Sequence, residues 1–426
     1  MDKIRISDGI TLNVINTDKF KTNYLSFNFV TPLCREKAAL YTLIPQVLTR
    51  GTKKHKDIAS IKNALDELYA ASVEGRVYKR GEYHVCGITA SWVADRYAID
   101  GTKITEGTLD ILQEIIFEPY TEDCVFSKSY VESEKSNLID DIRAIINNKN
   151  GYAVRRCHQE MCKDESFGLC EYGDEDAVNM INETSLYSAY TELLSKSRIE
   201  IFFVGDLESS YLCERIKKMF SYAVRDYKEL DETYVIKNVS DVRNVNEKCK
   251  AAQGKLSLGF RIGACIGEEK YRAFPVFAEM YANSPVSKLF MNVREKLSLC
   301  YYVRAIPDGI KGIMVVTSGI EVSDKEKAQN EILLQLENVR QGKVTDQELL
   351  LAKMSLKNAY KELYDNPASL EGWYLTRALV GLNTTPEKVC EEFLNVTKQD
   401  VIDVANMISL DTVYFLEGTL DEEGEL

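Results

Sequence analysis

The sequence predicts an α+β protein built as two homologous domains by duplication, each a mostly antiparallel sheet packed against helices. Three observations lead there. At 426 residues the chain is too long for one ordinary core. Runs of strand-like alternation repeatedly give way to runs with helical period. The order of these runs in the first half recurs in the second.

Taken in order, "MDKIRISDGITLNVI" reads as a strand, a turn at Asp8-Gly9 and a second strand. "YLSFNF" (Tyr24–Phe29) alternates as a strand and leads to the helical stretch Arg35–Gly51. Ala71–Val93 reads as a hairpin turning near Arg80-Gly81, and Lys128–Asn148 as a long amphipathic helix. Ile181–Tyr190 precedes the apolar strand Ile199–Leu207. The second half repeats this order. "KLSLGFRIG" (Lys255–Gly263) is a strand followed by helical Glu268–Ser284, and Val396–Ala405 precedes the strand Thr412–Leu420. Between the halves Val224–Lys248 is polar with no clean helical period. The expected division is therefore a first domain at 1–223, a linker at 224–248 and a second domain at 249–426. Ser323 with Glu326, and Thr345 with Glu348, have the spacing of capping boxes, and Gly342 stands at a helix stop.

Composition excludes several classes. A net charge of -13 argues against nucleic acid or an anionic membrane as partner. No apolar run reaches the ~18–20 residues that span a bilayer. The first residues lack the apolar core of a signal peptide, so a cytoplasmic location is expected. Eleven cysteines without a CxxC read as free thiols in a reducing compartment.

Motifs for hydrolysis or phosphate binding are missing. The three histidines, His55, His84 and His158, form neither H-E-x-x-H nor H-x-x-E-H. His158 with Cys157, Cys162 and Cys170 is one thiol/imidazole cluster, but it lacks the paired short spacings of zinc sites, and buried thiols are the simpler reading. Near the front, "LYTLIPQVLTRGT" (Leu40–Thr52) sets Pro45 inside an apolar helix, with Thr42 and Gln46 beside it. A proline there removes an N–H, and a kink is expected.

The most informative stretch is "NSPVSKLFMNVREKLSLCYYVRA" (Asn283–Ala305). Ser287, Leu289, Phe290, Val293, Arg294, Glu295, Lys296, Leu299, Cys300 and Tyr301 resemble a second-domain pattern of the insulinase/pitrilysin-type zinc peptidases, which include mitochondrial processing peptidase. Ser298 stands where that pattern has glycine. "LTRGT" and "FFVGDL" (Phe202–Leu207) extend the resemblance along nearly the whole chain. It implies a LuxS/MPP-like fold of two duplicated domains.

Such peptidases carry H-x-x-E-H on the helix before the glycine matched here by Gly51. Those positions fall on Thr42, Pro45 and Gln46. The third ligand, a glutamate on a later helix, matches Asp141, with Glu134 the weaker choice. Threonine and glutamine oxygens are poor zinc donors, and proline has no basic group. The resemblance therefore implies no metal, no cofactor and no catalytic residue in this chain.

The family's substrate-binding arginine and tyrosine match Arg294 and Tyr301. Arginine can fork onto a carbonyl or carboxylate, and a phenol can hydrogen-bond an oxyanion. The matching peptide rail is the edge segment Ala71–Lys79. Some relatives are heterodimers in which one chain supplies zinc and the other supplies this pair. The implied role is the catalytically incomplete partner of a zinc-bearing homologue, binding peptide for hydrolysis, with self-association as the other assembly. The alternative is a non-hydrolytic scaffold or peptide-binding protein. A self-sufficient metallopeptidase would need a metal site that the sequence does not offer.

Overall fold

The alternation in "YLSFNF" and "KLSLGF" organises a computed structural model that describes residues 1–221 and 224–419. Leu420, the last residue of the expected final strand, lies outside the described residues, as do 222–223 and 421–426 of the expected domains. Two compact units form. One gathers Met1–Arg143, Leu169–Glu232 and Pro367–Gly372; the other gathers Ala144–Gly168, Thr233–Asn366 and Trp373–Leu426.

The first unit holds strands β1 (Asp2–Ser7), β2 (Ile10–Asn16), β3 (Thr22–Pro32), β4 (Ser72–Arg80), β5 (Tyr83–Val93) and β6 (Arg198–Gly205). They form a six-stranded sheet in the order β1-β2-β6-β3-β5-β4. Only β2 and β6 pair in parallel. Helices α1 (Arg35–Leu48), α2 (Ile104–Phe117) and α3 (Lys128–Ala144) belong here; α4 (Lys149–Met161) belongs to the second unit, and α5 (Glu183–Lys196) to the first. Leu25, Phe27 and Phe29 on β3 join a core with Ile44 and Val47 of α1, Ile111 and Ile115 of α2, and Leu193 of α5. The alternate residues Tyr24, Ser26 and Asn28 point to the opposite face, since a strand has period two. They meet Glu371, which takes hydrogen bonds from Tyr24 at 2.5 Å, Ser26 at 2.7 Å and Asn28 at 2.9 Å. Arg76 on β4 completes the cluster with a bond to Glu371 at 2.8 Å.

The second unit holds β7 (Arg243–Lys250), β8 (Gly254–Arg261), β9 (Tyr302–Asp308), β10 (Ile313–Ile320) and β11 (Ser409–Thr419), in the order β9-β10-β8-β11-β7. Again one pair, β11 with β7, is parallel. Strand for strand, this order repeats the β4-β5-β3-β6-β2 part of the first sheet. Leu256, Leu258 and Phe260 on β8 enter the core, while Ser257, Gly259 and Arg261 face α4. Gly259 permits the close approach: a Cβ there would lie 2.8 Å from Met161 Sδ and 3.1 Å from Cys157 Sγ. Arg261 bonds Glu165 at 2.7 Å and Asp411 at 2.9 Å, and Lys311 also reaches Glu165 at 2.6 Å.

Some local expectations change. The stretch read as linker ends in β7, whose alternating exposure is that of an edge strand. Ser323 is not a helix cap. It sits in a 3₁₀ turn, and α6 (Lys325–Arg340) starts after Asp324 without a side-chain cap bond. Thr345 and Glu348 do form a capping box at the start of α7 (Asp346–Glu362), and Gly342 has the positive φ of a helix stop. The helical stretch after β8 breaks into a 3₁₀ turn, a short α-helix and the π-helical turn Glu279–Asn283. α1 continues through Pro45 to Leu48. The missing N–H falls in the last turn of the helix, where buried packing holds the chain.

Candidate functional site

In the first unit, α1 presents the positions matched to a metal helix. Thr42 is buried, and its hydroxyl donates to the Glu171 carbonyl at 2.7 Å. Pro45 is buried against β4: a Cβ on Gly75 would lie 2.9 Å from Pro45 Cβ. Gln46 is half-buried and Asp141 is exposed on α3. No hydrogen bond or ion pair among the described residues joins Asp141 to Thr42 or Gln46. Glu134, the weaker choice, is instead ion-paired with Arg50, which also bonds Ser133 at 2.5 Å. A hydroxyl spent on a main-chain carbonyl, a ring without a donor atom and a neutral amide do not fit zinc. Among the described residues no group of three or more His, Cys, Asp or Glu could hold a metal ion.

The thiols of α4 also have a packing role. Cys157 and Cys162 are fully buried, and burial pushes both thiols up, Cys162 to about 12. Cys157 contacts the Ser257 carbonyl at 3.8 Å. Neither has the environment of a reactive thiolate. β4, the expected rail, is the end strand of its sheet and pairs only with β5.

In the second unit, Arg294 lies on a π-helical turn, Phe290–Lys296. Such turns concentrate at functional sites. Its side chain is 44% exposed, and its guanidinium carbon is 4.7 Å from the Phe290 ring centre. The nearest carboxylate, on Glu295, is 3.8 Å away. The chain then turns through Ser298, whose φ of +50 explains why glycine suits this place in the family pattern. Tyr301 follows. Its backbone N–H donates to Gly319 at 2.8 Å, and its ring is 53% exposed. The phenol donates to the Glu321 carboxylate, and this bond is the main reason its pKa lies above the ordinary value. Sequence reasoning missed Glu321. It follows β10, and only the pairing of β9 with β10 brings it beside Tyr301. Arg294 and Tyr301 are thus both partly exposed, on the same stretch of chain leading into β9.

The profile of the family described as "Peptidase M16 inactive domain" matches residues 180–356. A Bacillus subtilis (strain 168) protein named "Probable inactive metalloprotease YmfF" is 33% identical over 411 residues, 96% of each chain. The crystal structure of a conserved protein from Enterococcus faecalis V583 superposes with a TM-score of 0.89 at 29% identity, covering 99% of both chains. A peptidase M16 inactive domain from Pseudomonas fluorescens shares the fold, with a TM-score of 0.81 at 15% identity over 98% of both. This chain belongs to the insulinase/pitrilysin-type (M16) metallopeptidase family, as a member without the zinc-binding set. No helix among its described residues is long and apolar enough to cross a membrane.

Proposed function

We propose that this chain is the peptide-binding partner subunit of a zinc-bearing homologue, acting in peptide hydrolysis. The observation that carries the reading is the exposed Arg294–Tyr301 turn in a chain whose metal-helix positions are given over to packing. Arg294 forks onto a peptide carbonyl or carboxylate. Tyr301 gives up its bond to Glu321 and donates to the oxyanion of the tetrahedral intermediate. Peptide main chain adds to the free edge of β4. The zinc of the partner subunit supplies the activated water. Eleven free cysteines agree with a reducing compartment, the cytoplasm.

One observation favours a scaffold instead: Tyr301 is already engaged by Glu321. Co-purification with a zinc-bearing homologue, with zinc content and peptide cleavage measured, separates the readings. Partner function predicts zinc and cleavage only in the complex. Arg294→Ala or Tyr301→Phe should then lower kcat/KM by about 10²-fold with the complex intact. Unchanged cleavage by both variants would establish the scaffold, and zinc-dependent cleavage by the lone chain would sink both readings.

A further inference from the structure

The second-unit end of α8 (Pro367–Leu379) carries a buried cation with no counter-ion. Trp373 and Arg377 are one helical turn apart, so they share a face of this helix. The guanidinium carbon lies 3.0 Å from the centre of the Trp373 ring. Gly381, at positive φ, stops the helix, and the Leu382 N–H returns to the Arg377 carbonyl at 2.9 Å. The chain doubles back, and Thr384 comes to lie beside the stacked pair. Its carbonyl accepts from the Trp373 indole at 3.1 Å, and its hydroxyl accepts from Arg377 Nε at 3.0 Å. Nη1 makes a long bond to the Trp373 carbonyl, 3.4 Å. Arg377 is only 7% exposed.

What is missing is an acid. Among the described residues no carboxylate pairs with Arg377, and Nη2 donates to no protein acceptor. Its strongest electrostatic neighbours are the phenols of Tyr360, Tyr271 and Tyr374, neutral at pH 7, and then Glu392. Glu392 is partly exposed and stands 3.7 Å from Arg272 instead. Burial is the main force on the group, and it lowers the Arg377 pKa to about 10. The side chain is still charged at neutral pH, in surroundings that penalise the charge. Two other arginines drawn into the fold are paired: Arg76 has Glu371, and Arg261 has Glu165 and Asp411. Such pairing is the rule for buried charge. Nη2 is also not sealed in, unlike the enclosed nitrogens of His84. An anion from solution can reach it.

The donors left over are coplanar, one N–H on Nη1 and two on Nη2. They form the end-on fork that a carboxylate fills with both oxygens. A single cation serves the position, which suits a monoanion better than a phosphate dianion. Tyr360 packs edge-on against Trp373 at 4.9 Å, and Phe393 lies 5.2 Å from Tyr360. This aromatic surface favours an organic acid over a bare inorganic ion. We infer that Arg377 anchors a binding site for a small organic carboxylate, forked by Nη1 and Nη2 beside the Trp373 ring. The site uses none of the residues of the Arg294–Tyr301 turn and does not depend on the partner reading. A free small acid and the carboxyl end of a peptide share this chemistry.

The test is calorimetric titration of the whole chain with acetate, benzoate, phenylacetate and N-acetyl dipeptides, each beside its amide, and with inorganic phosphate. Saturable binding of acids is expected below about 10 mM, with about 10-fold loss in each amide. Tighter binding of the dipeptides would identify a peptide end as the source; tighter binding of the simple acids would identify a free acid. Arg377→Lys keeps the charge and loses the fork, so it should weaken binding by about 10-fold. Arg377→Gln should weaken it by about 100-fold. The comparison of acid with amide uses the wild-type chain, so it decides the matter even where a variant does not fold. No saturable binding of any acid at about 10 mM would overturn the inference. So would equal binding of acids and amides, tighter binding of phosphate than of every acid, or unchanged affinity in Arg377→Gln.

Discussion

His84 should make the first unit acid-labile above the range where carboxylates titrate. Its ring is 1% exposed, 6.2 Å from the Tyr41 ring, with no partner at either nitrogen. Burial lowers its pKa from 6.5 to about 4, against a weaker opposing pull from Glu171. In the folded chain the ring is therefore neutral down to about pH 4, while the unfolded chain takes up its proton near 6.5. Between those values the unfolded state holds more protons, so stability falls as pH falls. The full shift corresponds to about 3 kcal/mol, of which about 2 kcal/mol is lost by pH 5 and almost none at pH 7. His84→Leu removes the titration and two unmet nitrogens. Urea unfolding at pH 7, 6 and 5 would measure it, with Trp92 as reporter in a Trp373→Phe background. Trp92 is buried in the same unit, and the chain has only these two tryptophans. The variant should gain about 2 kcal/mol on wild type between pH 7 and 5. Parallel stability curves would refute the reasoning.

Two further outcomes follow from other buried groups. Burial alone would raise the Glu371 carboxyl, yet Arg76 outweighs it and holds the group below the usual carboxylate range. Arg76→Met should therefore cost about 3–5 kcal/mol in denaturant unfolding, because it strands a buried carboxylate; the double variant with Glu371→Leu should recover much of that. Ser298→Gly should stabilise the second unit by about 1 kcal/mol, read as a higher thermal midpoint, because serine there is held at positive φ.

How far the chain could be read depended on how local each feature is. "YLSFNF" and "KLSLGF" each announce a strand with one apolar face, and both become central strands. Thr345 and Glu348 lie within one helical turn, so their capping box was legible. Ser323 misled because its spacing to Glu326 is equally good, while the chain spends Val322–Asp324 on a 3₁₀ turn first. Arg294 and Tyr301 were singled out by a dense pattern match, and their proposed role rests on that resemblance. Glu321 and the unmet nitrogens of His84 were not legible, because their meaning depends on neighbours brought in by strand pairing.

Periodicity and residue chemistry alone determined the α+β class and the repeated order of elements. Once the family resemblance pointed to Thr42, Pro45 and Gln46, their side-chain chemistry marked them as unsuitable for a metal. A side chain's donor atoms and a strand's period two belong to the covalent chain and need no partner to be read. Only the tertiary structure decided what covers the polar face of each central strand. In the first unit it is Glu371, from Pro367–Gly372; in the second it is α4, from Ala144–Gly168. These segments lie far along the chain from the strands they cover. Burial and ion pairing select such partners by fit in space, which spacing along the sequence does not encode.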